Sequence, residues 1–325
     1  MLNLRTVGVV LTQIAHEGQV VLPRMRFGLV FGTALLLASA SPAFAQKALR
    51  WKLAVGDQLH VNVSQQTTST VTIAGKPVKT TMEMTLDTEW RVDSADEKQI
   101  VTTQSVKRLA VKLQSGDTAA IAYDSAAQAA PVGAAKEVAA AVKPLLEEGA
   151  SLLITMNTRG EVLSATPNTK LAELWKTRGS KEADDGESAQ ELLKRTLVLL
   201  PEMQVAAGDA GKAKWSQVRE AAIAIGKVAQ NTEFVYMGEV GQAGQKLEKI
   251  DFTSKLTLVP GVAKNLKLTL KEQTQNGHAL FSAEQGRVVS AEQTQTLVTE
   301  APYRETIITV AVESTVKTVI SPVQK

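Results

Sequence analysis

Met-Glu-Met-Thr-Leu-Asp-Thr-Glu-Trp-Arg-Val, residues 82–92, alternates apolar and polar side chains with a period of two. Met82, Met84, Leu86, Trp90 and Val92 share one phase, and Glu83, Thr85, Asp87, Glu89 and Arg91 the other. A helix would scatter these apolar residues around its circumference, whereas an extended strand sends successive side chains to opposite faces. The stretch therefore predicts a strand with one buried and one solvated face, as in an antiparallel sheet.

The alternation spreads both ways from this strand. Upstream, Leu59, Val61, Val63, Val71 and Ile73 keep one phase across a Ser/Thr/Gln-rich middle, and Ala74-Gly75-Lys76-Pro77 reads as the turn. Downstream, Ile100 and Val106 lie on one phase and Leu109, Val111 and Leu113 on the other, so the register flips near Lys107-Arg108. A β-bulge there would restore the apolar face. Ile121 and Tyr123 follow the turn at Ser115-Gly116-Asp117, and residues 46–124 predict a four-stranded meander.

Residues 125–207 read as a helical middle with a short hairpin. Val138, Ala141, Val142 and Leu145 recur at helix spacing, with Pro144 as a kink and Gly149 as a cap. Leu152–Met156 and Glu161–Leu163 form the hairpin, and Thr166-Pro167 opens a second helix that ends by Gly179. Ser180–Glu187 is a polar loop, and Ser188 with Glu191 starts a third helix that carries Leu197 and Leu200 and stops at Pro201.

From 208 to 325 strands return, over residues 215–225, 232–237, 247–258, 266–270, 278–283, 287–297 and 303–320. Ile250, Phe252, Leu256 and Leu258 alternate with Asp251, Thr253, Lys255 and Thr257. Gly238, Gly241 and Gly244 read as a flexible turn, and His278 as following a turn at Asn276-Gly277. The two β-rich halves open alike, on Ala54-Val55-Gly56-Asp57 and Ala206-Ala207-Gly208-Asp209. This fits either a degenerate duplication or a common pre-strand turn. The expected fold is mainly β (α+β): one or more large curved antiparallel sheets, with the helical insert packed on one face and residues 46–325 forming one compact domain.

Of 325 residues, 44% are hydrophobic and 21% charged, enough for an ordinary core. A formal charge of +3 gives no reason to expect a nucleic-acid partner. With no cysteine, disulfides, thiolate metal sites and thiol nucleophiles are excluded. Nucleophile-elbow, Walker, dinucleotide-binding and zinc-protease motifs are absent, so no catalytic, metal or cofactor site is assigned and no cofactor is expected. Glu182, Asp184, Asp185 and Glu187 lack EF-hand spacing and read as a solvated loop.

Residues 25–45 read as a secretory signal peptide, with Arg24 and Arg26 before the apolar stretch Phe27–Ala38. Ala43 and Ala45 supply the small residues that signal peptidase needs, so cleavage would leave Gln46 first. Met25 stands where a start codon would make the signal conventional, and residues 1–24 are expected to be an extension of the reading frame. Cleavage removes Arg5, Arg24, Arg26 and Glu17, leaving 33 Lys plus Arg against 32 Asp plus Glu. The mature chain is expected in a periplasm or outside the cell. It has no apolar run long enough to span a membrane and no cysteine for a lipid anchor.

Long strands with one aliphatic face either pack that face into an ordinary core or curve to leave an apolar concavity able to hold an acyl chain. In the second case the lining candidates are Met82, Met84, Leu86, Trp90, Phe252 and Leu256.

The chain resembles a family of uncharacterised secreted bacterial proteins, a domain of unknown function. The resemblance is carried by Leu49-Arg50-Trp51-Lys52, Val55-Gly56-Asp57, Gly75-Lys76-Pro77-Val78, Thr88-Glu89-Trp90-Arg91-Val92 and Lys246-Leu247-Glu248-Lys249-Ile250. The segment from Ala279-Leu280-Phe281 to Gly286-Arg287-Val288-Val289 is more remotely similar to periplasmic lipoprotein carriers and mycobacterial-type lipid-binding proteins. That similarity implies a curved antiparallel sheet closed by helices around a hydrophobic cavity. The expected function is a non-enzymatic envelope protein that binds a hydrophobic small molecule or an envelope component. The alternative is an interaction module that contacts protein or polysaccharide through strand faces or edges, and the oligomeric state is left open.

Overall fold

The computed structural model describes residues 46–176, 197–223, 226–242, 244–260, 269–303 and 306–323. The predicted meander is present as β1 (Gln58–Ile73), β2 (Lys76–Ala95), β3 (Gln99–Ser115) and β4 (Ile121–Asp124). Asp87 faces Arg108 while Thr88 faces Val106, so Lys107 is the extra residue of a bulge that returns Leu109, Val111 and Leu113 to the apolar face. Helix α1 (Ala135–Leu146) packs on β3 and β4, and the hairpin is β5 (Leu152–Asn157) with β6 (Val162–Pro167).

Helix α2 (Thr169–Lys176) begins later than the sequence suggested. Pro167 closes β6, and the Asn168 side chain accepts from the Leu171 N–H, taking the N-cap role expected near Thr166. The start of the third predicted helix lies outside the described residues, and Leu197–Leu200 are buried and not helical.

The second half supplies β7 (Lys214–Ile223), β8 (Gly226–Gln242), β9 (Gln245–Pro260), β10 (Thr269–Ser282), β11 (Arg287–Tyr303) and β12 (Thr306–Pro322). Several of these run through segments expected to be turns. Gly238 and Gly241 lie inside β8, and β10 passes straight through Asn276-Gly277 to His278. At position 277 a Cβ would stand 2.3 Å from the Phe252 ring and 2.5 Å from the Glu292 carbonyl. Glycine is there because a neighbouring aromatic lies over the strand.

All the strands belong to one open, curved antiparallel sheet in the order β6-β5-β3-β2-β1-β12-β11-β10-β9-β8-β7, with β4 beside the far end of β3. The first and last long strands pair from Leu59↔Pro322 to Ile73↔Ile308, so both β-rich regions form one sheet. The two Ala-x-Gly-Asp turns are built alike: Asp57 donates its N–H to Ala54 O and accepts from the Ala54 N–H, and Asp209 does the same with Ala206.

The strands are much longer than the core. β2 has 20 residues, about 65 Å of extended chain, where five or six residues are usual. The core gathers at one end, where two irregular segments, 47–53 and 197–205, cross the concave face. They are held to each other by Lys47–Val205 backbone bonds and to the sheet by Trp51 N–H to Thr158 O, Lys52 N–H to Gly286 O and Leu200 N–H to Arg159 O. Leu49, Trp51 and Leu200 pack there against Trp90, Ile154 and Phe281. Gly286 fits because a Cβ would meet Lys52 at 2.4 Å and because its φ is +62°.

Candidate functional site

Cross-strand register defines rows on the concave face. Met84 stands opposite Gln65, and Gln65 opposite Val316. The row continues through Gln293 and Gly277 to Phe252, Phe234 and Trp215. At its far end Trp215 stacks on Phe234 at 5.5 Å, Phe234 tilts against Phe252 at 5.9 Å, and the Trp215 indole N–H donates to Leu199 O. Burial falls away near this row. On β12, Ile320 and Thr318 are buried, while Val316 to Ile308 on the same phase stay half-covered. On β2, Trp90 and Thr88 are buried, while Leu86, Met84 and Met82 are half-covered. Beyond the core the concave face is an open trough.

The two faces of this open half differ in charge. On the concave phase outward from the Met84 row, the described side chains charged at neutral pH are two, both at the margin: Arg219, at the β7 edge, which donates to Leu197 O, and exposed Lys76, opposite Ile73 at the β1–β2 turn. The outer phase of the same strands carries Glu83, Asp87, Arg108, Lys255, Glu292 and Lys317, among others. Many are paired, as in Arg108–Asp124, Lys317–Glu292 and Lys271–Glu300. Such a face would be strongly disfavoured against lipid tails. Among the described residues no helix is long and apolar enough to cross a membrane.

The concave lining is not uniformly apolar. Near β2 to β4 it is aliphatic, with Met82, Leu113 and Ile121 in line. In the same row β1, β12, β11 and β10 present Thr67, Ser314, Gln295 and Gln275. On the far wing Ser254, Thr232 and Gln217 continue this neutral polar belt. Its members satisfy one another: Thr67 and Ser314 hydroxyls lie 2.9 Å apart, Thr232 and Ser254 2.8 Å apart, and Gln230 donates to Gln275 at 3.2 Å. The Gln217 Oε1 is buried without a partner.

The belt also marks a seam. The β9–β10 ladder ends at Thr253↔Asn276 although both strands run on. Across the gap the Gln273 amide accepts from the Leu256 N–H at 2.5 Å and donates to the Leu256 carbonyl at 2.9 Å. A side-chain amide, which carries the same donor and acceptor as a peptide unit, stands in for the missing strand partner.

At the closed end sits a charged lock. The buried Glu248 carboxylate accepts from Lys47 Nζ at 2.7 Å and from the Tyr236 hydroxyl at 2.6 Å. The hydrogen bond to Glu248 raises the Lys47 pKa, with Glu239 adding to it, while burial and then Glu248 push the Tyr236 phenol up.

The expected lining residues therefore fall into two groups. Trp90 and Phe252 are buried among the core side chains, and Met82, Met84, Leu86 and Leu256 lie half-covered on the concave phase. Ala43 and Ala45 lie outside the described residues, and Gln46 is exposed. His60 lies 3.3 Å from Asp87 on the outer face, and His278 is on β10, with β12 and β11 between their strands. The hollows lined by His60, Glu89 and Lys107 and by Glu233, Lys249 and His278 are open and carry charged side chains. Among the described residues no cluster of His, Asp or Glu is placed to hold a metal ion. The polar belt escaped sequence reading because Thr, Ser and Gln occupy both phases. The usable signal is charge, which apart from Arg219 and Lys76 keeps to the outer phase in the open half.

No family model and no curated protein matches the chain. Among solved structures, one describing lipid–protein interactions in lipovitellin is 11% identical with a TM-score of 0.45, covering 84% of this chain and 26% of that one. The chain thus spans about a quarter of that lipovitellin chain. An outer membrane channel from Pseudomonas putida F1 is 11% identical with a TM-score of 0.23, covering 83% of this chain and 97% of that one. Function is argued below from this chain's own residues.

Proposed function

We propose that this protein is exported and acts as a binding protein, seating a hydrophobic, electrically neutral ligand against the open half of its concave face. The observation that carries this reading is the segregation of charge. Nine strands send charged side chains outward, while the concave phase beyond the core presents aliphatic and neutral polar groups, with charge among the described residues only at its margin, on Arg219 and Lys76. A trough of that kind loses little by shedding its water to an apolar guest, and over most of its length it offers a charged guest no counter-ion. Half-covered Met82 and Met84 suit such a lining, since thioether side chains adapt to irregular shapes. Export rests on the apolar stretch ahead of Ala43-Phe44-Ala45.

Native mass spectrometry of protein purified from a bacterial periplasm, with organic extraction of the same sample, tests both parts. The mature chain is expected to begin at Gln46 and to carry near-stoichiometric lipid. Met84→Asp and Leu256→Asp are expected to abolish uptake, and Glu83→Gln on the outer face to leave it unchanged. A clean apo mass that takes up no added lipid would overturn the binding reading and turn attention to partner capture.

A further inference from the structure

The open trough has a second level of organisation, and the following rests on the binding reading above. The polar belt runs along one register row from β1 to β7 without a charge, and Gln230 joins it from the next row outward. Its pairs are already satisfied at Thr67–Ser314, Thr232–Ser254 and Gln230–Gln275. The exception is Gln217, directly opposite Thr232, whose amide oxygen is buried without a donor. A buried carbonyl left unpaired is disfavoured, and a hydrogen-bond donor brought by a guest would relieve it. The neighbours of that residue on the same face are Thr232, the Trp215–Phe234 stack one row toward the core, and Arg219 one row outward, which donates to Leu197 O. A guest lying there would meet an aromatic wall on one side and a neutral acceptor on the other.

We infer that the trough selects neutral lipids that carry a free hydroxyl or amide N–H, with that donor seated on Gln217 and the acyl portion running along the belt toward Met82, Met84 and Leu113. Purely hydrocarbon guests would leave Gln217 unpaired, and an anionic headgroup would bring acceptor oxygens to an oxygen that itself needs a donor. Sites built to hydrogen-bond a ligand group discriminate strongly against the analogue that lacks it, because their own polar atom is then stranded.

The test uses the mature protein and three probes matched in their acyl chains: 1,2-dioleoylglycerol, the same molecule with its hydroxyl acetylated, and dioleoyl phosphatidic acid. Binding is read by native mass spectrometry and by the fluorescence of Trp215. Dioleoylglycerol is expected to bind about tenfold tighter than the acetylated probe, and phosphatidic acid weakest. Gln217→Leu is expected to bring the first two within about twofold of each other by weakening the free alcohol. Gln217→Asn, which keeps a shorter amide, should retain part of the preference. Near-UV circular dichroism shows whether each variant keeps the Trp215–Phe234 stack. Equal binding of alcohol and acetate by the parent protein would overturn this inference and leave the binding reading standing, whereas tightest binding of phosphatidic acid would overturn this inference together with the neutral-ligand part of that reading. Binding of none of the three would remove both.

Discussion

The two ends of the same strands behave as different materials. Toward one end of β12, Ile320 sits beneath the crossing segments with Leu49, Trp51 and Leu200, as closely covered as the middle of a conventional core. Only a few residues along, Val316, Val312 and Val310 keep the same phase and the same β-branched chemistry but stay half-covered. The sheet does not distinguish these ends through its hydrogen bonds, because the β1–β12 ladder is unbroken from Leu59 to Ile73. The difference comes from what crosses the concave face. Apolar alternation can place a residue on the right face, but a second layer is needed to bury it.

Trp51→Ala should widen this contrast most. Its side chain is 1% exposed where the N-terminal segment meets the β5–β6 turn. Removing a buried aromatic typically costs about 3–5 kcal/mol. Val312→Ala, equally apolar and on the concave phase, should cost under about 1 kcal/mol. Urea unfolding of both variants measures the difference. Comparable losses would show the open half to be packed as tightly as the closed end.

Gly277→Ala comes next, because its Cβ would press on both the Phe252 ring and the Glu292 carbonyl. Overpacking of this kind typically costs about 1–3 kcal/mol. The aromatic row it disturbs borders the trough, so lipid uptake should fall together with the thermal midpoint. Lowered uptake with an unchanged midpoint would place Phe252 in binding alone.

Alkali should act on the closed end. Lys47, whose pKa is raised chiefly by Glu248, contributes stability that is full below its unfolded pKa and is lost as pH rises through the folded value. Tyr236, raised mainly by burial, acts in the same direction: above pH ~10 the unfolded phenol ionises while the folded one stays protonated. Stability should therefore drop as pH climbs past ~10. Lys47→Met should lower stability by about 1–3 kcal/mol at neutral pH, since it takes a charged partner from a buried carboxylate, and should flatten the alkaline fall. A variant with the parental alkaline slope would place its origin elsewhere.

Much of this architecture was legible in the sequence. The phase of Met82 to Val92 specifies both the strand and its inward face, and the phase change near Lys107-Arg108 locates the bulge to within a residue. Strand lengths were underestimated wherever Thr, Gln, Asn and Gly replaced aliphatic residues, as in β8 and β10, because ladder hydrogen bonds are indifferent to side-chain polarity. The segment 197–200 was read as helix from the spacing of its leucines, yet it lies flat across the sheet, where every one of its side chains finds cover. Its role depends on long-range contacts with Arg159 and Trp215 that no local pattern encodes. The candidate site was half legible for a related reason. Met84 and Leu256 announced themselves as apolar, while the neutral belt between their strands becomes visible only when the register puts it in one row.

The seam offers the finest probe of the comparison, because there the open half departs from ladder geometry altogether. Past Thr253 and Asn276, the Gln273 amide alone ties β10 to the Leu256 peptide, where other strand pairs in the sheet continue with backbone bonds. Gln273→Ala removes one donor and one acceptor at a position that is already partly open, so water can replace them. The expected loss is about 1 kcal/mol. The local consequence should be larger than the global one. Amide exchange at Leu256 should quicken by about fivefold or more, the factor to which that free energy corresponds, while exchange at Ile250, within the ladder, stays at its parental rate. Equal acceleration at both would mean that β9 and β10 open as a unit. A change confined to Leu256 would mean that the wing formed by β7, β8 and β9 is held at its outer half by side-chain amides, Gln273 on Leu256 and Gln230 on Gln275, and can part there while the core stays closed.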